Sequence, residues 1–160
     1  MLIIGPMESI DPEPTIKKAT AAAAPALAKI EAACFDYDCM SESDFRHYLT
    51  KTHNVTLLAE ENGKTVAYGM VFLNNKLRQA RLFSIAVLPS HRGQGLSQSV
   101  YGALENAARD AGMYTMRLEV REDNPTLQDM YGRWGFATCG GVQGYYSDGG
   151  DALKMKKLIV

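Results

Sequence analysis

The stretch Leu82–Ala108, LFSIAVLPSHRGQGLSQSVYGALENAA, decides how this chain is read. It begins with an apolar run, Leu82 to Leu88, whose Ile, Val and Phe suit a buried strand. Pro89 ends the run because it has no N–H to give to a sheet ladder. Gly93 and Gly95 then bracket Gln94 beside Arg92, and a helical pattern follows at once. Leu96, Val100, Ala103, Leu104 and Ala107 recur at three- and four-residue spacing. Strand, glycine loop and helix start together make an anion site. Free amide N–H groups and the positive end of the helix dipole converge there, and glycine lets a phosphate come close. The same residues also suit a plain tight turn. Neither standard nucleotide fingerprint fits, since the Lys-Ser/Thr of a P-loop and the third glycine of a dinucleotide site are both missing.

At 160 residues the chain is one domain, large enough to bury a core. Residues 15–160 are read as that domain. Residues 1–14, with Gly5, Pro6, Pro12 and Pro14 among acids, form a loose lead-in. Apolar residues at 46% and charged residues at 22% are ordinary for a globular protein. A net charge of −1 gives no electrostatic footprint for nucleic acid. Cys34, Cys39 and Cys139 show neither a C-x-x-C nor a paired framework, so reduced thiols are expected, with a local Cys34–Cys39 disulfide the less favoured alternative. The three histidines are scattered, and no metal site is expected. No apolar run approaches the roughly 20 residues of a membrane span. Leu2-Ile3-Ile4 is too short for a signal sequence and lacks a basic flank. The cytoplasm is the expected compartment.

Around the central stretch the other elements follow in order. Thr15–Thr20 reads as a first strand, and Ala21–Cys34 as an alanine-rich helix begun near Pro25. Ser41 is placed to cap a second helix through Phe45, Tyr48 and Leu49, with Asp44 closing a capping box. Val55–Glu60 and Thr65–Leu73 are strands joined by Asn62-Gly63, a hairpin cue, and Arg78–Leu88 is the next strand of the meander. Gly112 ends the long helix. Tyr114–Arg121 alternates Met116, Leu118 and Val120 with Arg117, Glu119 and Arg121, the pattern of a half-buried strand. Asn124-Pro125 opens a last helix with Leu127, Met130, Tyr131 and Trp134 as its apolar stripe, stopped by Gly135. Phe136–Cys139 and Ala152–Leu158 are the final strands, joined by a Gly/Tyr/Asp-rich connection, Gly140–Gly150.

The glycine loop resembles the R-x-x-G-x-G/A signature of the GNAT N-acetyltransferase superfamily, as Arg92-Gly93-Gln94-Gly95-Leu96-Ser97. Ser97 stands where the pattern has a small Gly or Ala. The element order β-α-α-β-β-β-α-β-α-β-β is also that of the GNAT fold, over about residues 15–158. Further matching segments are Leu82–Val87, Arg117-Leu118-Glu119-Val120-Arg121-x-x-Asn124, Leu127-x-x-Met130-Tyr131-x-x-x-Gly135-Phe136 and Tyr145–Leu153. Within the superfamily the chain is most similar to the ribosomal-protein-alanine N-acetyltransferases. The resemblance implies an α/β (α+β) fold: a mixed, mostly antiparallel twisted sheet of six to seven strands flanked by about four helices.

It also implies roles. The backbone of Ile85, Ala86 and Val87 would splay from its parallel neighbour and hold the pantetheine arm of acetyl-CoA, with the Val87 amide polarising the thioester carbonyl. Arg92, Gly93, Gln94, Gly95, Leu96, Ser97 and Gln98 would bind the pyrophosphate. Asn124, by its position an N-cap, would also touch the pantetheine arm. Read from the residues alone, Glu119 belongs to a solvated charge row and Tyr131 to a helix core. The resemblance makes Glu119 the general base and Tyr131 the acid that protonates the departing CoA thiolate. The chemistry asks for both. An α-amine with a pKa of about 8 is largely protonated at neutral pH, and the thiol has a pKa of about 8.5. If Arg117 and Arg121 point the same way as Glu119, they weaken it as a base. His91 is read as an exposed loop residue, and Tyr145-Tyr146 with the Phe35–Met40 loop as walls of a peptide groove.

The function expected is direct transfer of acetyl from acetyl-CoA to a primary amine, foremost a peptide N-terminal α-amine, by a monomer or homodimer without metal, nucleic acid or membrane. The alternatives are a GNAT enzyme of small amines or lysine, and an acyl-CoA-binding module without turnover.

Overall fold

The computed structural model describes residues 13–160; most of the lead-in expected over residues 1–14 lies outside the described residues. The meander comes first. Asn62 and Gly63 both take left-handed φ, 51° and 75°, as the two-residue turn that matches strand twist requires. They join β2 (Asn54–Glu61) to β3 (Lys64–Asn74), and β4 (Gln79–Val87) pairs antiparallel with β3. A short β1 (Thr15–Lys18) lies along the other edge of β2. The long helix α3 (Leu96–Asp110) then crosses over to β5 (Thr115–Arg121), which is parallel to β4. β6 (Ala137–Val142) and β7 (Ala152–Leu158) complete a seven-stranded sheet in the order β1-β2-β3-β4-β5-β7-β6, with β7 antiparallel to β5.

Two apolar clusters sandwich this sheet. α1 (Ala24–Cys34) and α2 (Glu42–Leu49) place Leu27, Ile30 and Phe45 against Leu58, Tyr68 and Met70 on one face. On the other, α3 and α4 (Pro125–Arg133) bury Val100, Leu104 and Tyr131 against Val66, Val71, Met116 and Leu118. Gly69 is where α3 comes closest. A Cβ there would sit 2.5 Å from Leu104 Cδ1 and 2.9 Å from Val100 Cγ1, both fully buried. Gly69→Ala is therefore expected to destabilise the fold by about 1–3 kcal/mol through overpacking, read as a lower denaturation midpoint with an unchanged m-value.

The feature that makes room for a site is the short pairing of β4 with β5. Only Gln79–Arg81 and Thr115–Arg117 are in register, and beyond them the strands part. The register of β3 with β4 slips at Met70/Val71, leaving Phe83 as the extra residue of a bulge just past the last parallel pair. A bulged strand bends, so β4 turns away from β5 at that point. The expected splay is present.

The structure refines several boundaries. The first turn of the helix expected from Ala21 is a 3-10 turn, Ala21–Ala23, because Pro25 has no N–H to enter the α ladder. Pro89–His91 form another 3-10 turn. The Ser41/Asp44 capping box is present, and Asn124 Oδ1 accepts from Leu127 N at 3.1 Å. β6 begins after Phe136 and runs on to Val142, through the glycines expected to be loop. It is an exposed edge strand held by backbone bonds to β7, so no apolar alternation announces it. All three cysteines are free thiols. Among the described residues no helix is long and apolar enough to cross a membrane.

Candidate active site

The parting of β4 from β5 opens a groove of about 910 Å³. Its floor is the backbone of Ile85, Ala86 and Val87. Along a strand, successive N–H groups alternate between the two edges. Leu88 N donates to Val66 O on β3 at 2.9 Å, so Val87 lies at a position whose N–H and C=O face the groove instead. Two donors already reach its carbonyl, Cys34 Sγ at 3.2 Å and Arg92 Nε at 3.3 Å.

At one end lies the glycine loop. Gly93 and Gly95 have φ of 80° and 76°, left-handed values that side chains resist. Gly95 is the N-cap of α3 and among the described residues no side chain caps the helix, so its first amides are left for a ligand. Arg92, Gly93, Gly95, Leu96 and Ser97 line the groove, whereas Gln94 and Gln98 do not. An uncapped N-terminus, two left-handed glycines and an arginine fit a pyrophosphate, and the Ser97 hydroxyl adds a donor. His91, expected to be exposed, is half-buried. Its 3-10 turn brings it to the groove, with Nε2 3.5 Å from Glu61 Oε2.

Glu119 also lines the groove, its side chain only 8% exposed. Arg81 Nε donates to Oε2 at 3.0 Å and Arg117 Nη1 to Oε1. The two arginines expected to flank it on its own strand therefore behave differently. Arg117 does bind Glu119. Arg121 turns away to Asp123 and Asp148, where its hydrogen bonds hold both carboxyls below the usual range. Its guanidinium lies 4.7 Å from the ring centres of both Tyr37 and Tyr146. The second partner of Glu119 comes from β4. No local sequence signal marks Arg81, register partner of Arg117, because its neighbour on β5 lies 36 positions away.

Tyr131, on α4, lines the same groove and packs edge-on to Trp134 and Phe136. Burial pushes its phenol up to about 12, so it keeps its proton at neutral pH. Asn124, while capping α4, also lines the groove.

The far wall joins two loops distant in sequence. Ser147 N donates to Asp38 Oδ2 at 3.1 Å, and Tyr146 meets Tyr37 edge-on at 5.6 Å between ring centres. Arg81 Nη2 donates to the Tyr145 hydroxyl at 2.5 Å. Below this wall a buried carboxylate, Glu31, accepts from Tyr68 OH, from Ser84 Oγ at 3.0 Å and from Met40 N at 3.1 Å. Glu31 reads in sequence as one more helical position, and only the packing of α1 on β3 and β4 reveals its partners.

Residues 24–136 match the Acetyltransferase (GNAT) family. An N-alpha-acetyltransferase RimI of Mycobacterium tuberculosis is 30% identical over 152 residues, 92% of this chain and 94% of that protein. A ribosomal protein bS18-alanine N-acetyltransferase of Haemophilus influenzae is 33% identical over 86 residues, 54% of this chain and 57% of that one. The crystal structure of the ribosomal-protein-S18-alanine N-acetyltransferase from Escherichia coli superposes with a TM-score of 0.82 at 29% identity, covering 91% of this chain and 94% of that one. The splayed strands, the uncapped helix and these likenesses agree: the chain belongs to the GNAT family and is an N-acetyltransferase.

Proposed function

We propose that this enzyme transfers acetyl from acetyl-CoA directly to the N-terminal α-amine of a protein or peptide. One observation carries the reading: Glu119 and Tyr131 line the same groove whose one end is the uncapped α3 and whose other end is walled by tyrosines. The loop Arg92–Ser97 would hold the pyrophosphate, and the Ile85–Val87 backbone with Asn124 the pantetheine arm. Acetyl-CoA supplies an activated acyl thioester.

In this reading the Val87 N–H polarises the thioester carbonyl. Glu119, fixed by Arg81 and Arg117, keeps a further lone pair on each oxygen and takes the proton of the amine, directly or through water. Tyr131 gives its proton to the departing sulfur. The wall supports a peptide acceptor, because aromatic sides with a few polar groups suit an extended chain end. Asp36, Asp38 and Glu31 line that half and would attract an ammonium group.

The test is mass spectrometry of peptides that each carry an internal lysine, half with a blocked N-terminus, after incubation with acetyl-CoA. Acetylation confined to free N-termini is expected. Acetylation of lysine, or of small amines with no peptide modified, would overturn the α-amine assignment.

A further inference from the structure

The helices leave one part of the sheet bare. α1 and α2 cover β2, β3 and β4 on the Glu119 side, and neither packs extensively on β5, β7 or β6. Register pairs Arg81 with Arg117, Arg117 with Lys156 and Glu119 with Lys154, so these five side chains stand on that one face. The intervening residues face the other way. Met116, Leu118 and Met155 are buried, and Lys157 reaches Glu105 on α3 at 2.8 Å.

On this face, which the helices leave uncovered, four cations surround a single carboxylate, Glu119, itself buried beneath them. Arg81 and Arg117 are both engaged by Glu119. Lys154 and Lys156 are exposed, and among the described residues neither has an ion pair. Gly140 stands opposite Lys154 on the edge strand β6, so no side chain covers that lysine from the edge. Charges of opposite sign therefore stand in the groove and on β7. Asp36, Asp38 and Glu31 line the groove, and the exposed Lys154 and Lys156 stand on β7. A chain end with an ammonium group followed by acidic residues complements both halves.

The geometry points to the face formed by Arg117, Lys154 and Lys156 as a docking surface for acidic residues that follow the N-terminus of the acceptor polypeptide. This rests on the α-amine reading above. A phosphate backbone is the poorer fit. The row has only two unpaired cations, and the chain carries a net charge of −1, whereas nucleic acid asks for a longer basic stripe.

The experiment uses lysine-free peptides with one common first residue and a free N-terminus. The following residues, about six of which span roughly 20 Å when extended, are acidic, neutral or arginine-rich. Initial rates are measured at low and high ionic strength, for the native enzyme and for Lys154→Gln/Lys156→Gln. Acidic peptides are expected to exceed neutral ones about tenfold in kcat/KM at low salt, through KM, and to lose most of that advantage as screening shortens the reach of charge. The double variant removes the advantage and leaves the neutral peptide's rate and Tm unchanged. Equal rates for acidic and neutral peptides, or a preference that survives the double variant, overturn this assignment alone. No acetylation of any peptide overturns the α-amine reading and this one with it. A single-stranded RNA oligonucleotide whose binding depends on the two lysines, beside a flat peptide preference, would assign the face to RNA and overturn it too.

Discussion

Glu119→Gln is expected to lower kcat/KM for a peptide α-amine by about 10²–10³-fold at neutral pH, within the range typical of a lost general base. The reason is protonic. An α-amine with a pKa of about 8 arrives mostly as ammonium and must lose a proton to attack. The deficit should therefore shrink as pH rises past the amine's own pKa, where the nucleophile comes free unaided. That pH dependence separates a base from a residue that only holds the groove together. The distinction is needed because glutamine also leaves Arg81 and Arg117 facing each other without their shared carboxylate. Glu119→Asp keeps that charge and should retain Tm and CoA affinity while losing part of kcat. Full kcat/KM in Glu119→Gln across pH 6–9 would remove Glu119 from the role.

Tyr131→Phe is expected to cost about 10²-fold in kcat with little change in stability or CoA affinity. The phenyl ring fills the same space beside Trp134 and Phe136, and among the described residues the hydroxyl has no hydrogen-bond partner. Only a departing thiolate would miss that proton. Burial disfavours the phenolate and pushes the group up to about 12. A raised acid holds its proton over a wider range, so the native enzyme should show no falling limb assignable to Tyr131 between pH 7 and roughly 10. A fall with an apparent pKa of 8–9 that vanishes in Tyr131→Phe would show a phenol very different from the buried one. Undiminished kcat in that variant would show that sulfur leaves without its help.

Much of this arrangement is legible in the sequence. Asn62-Gly63, the Ser41/Asp44 box, Asn124-Pro125 and the glycines of the loop are local signals. Each turn or cap is decided by a few dihedrals and one or two nearby hydrogen bonds. The alternation of Met116, Leu118 and Val120 with Arg117, Glu119 and Arg121 gave both the strand and its two faces. The family resemblance then marked Glu119 and Tyr131, which periodicity alone would have left as a surface charge and a core ring. The full length of β6 is not legible, for the opposite reason. An edge strand of Thr, Cys and Gly has no apolar rhythm, and only its backbone bonds to β7 define it.

What the chain determined by itself was the set of elements, their order and the residues able to carry the chemistry, because these depend on short-range sterics and hydrophobic period. What only the tertiary structure decided was which groups meet. Arg81 rather than Arg121 holds Glu119, Asp38 reaches Ser147, and Tyr68 and Ser84 close on Glu31. Lys154 and Lys156 join Arg117 on a bare face for the same reason. Charge and hydrogen bonding act over a few ångströms of space and are indifferent to distance along the chain, so partners of this kind become defined only when strand register and helix packing set those ångströms.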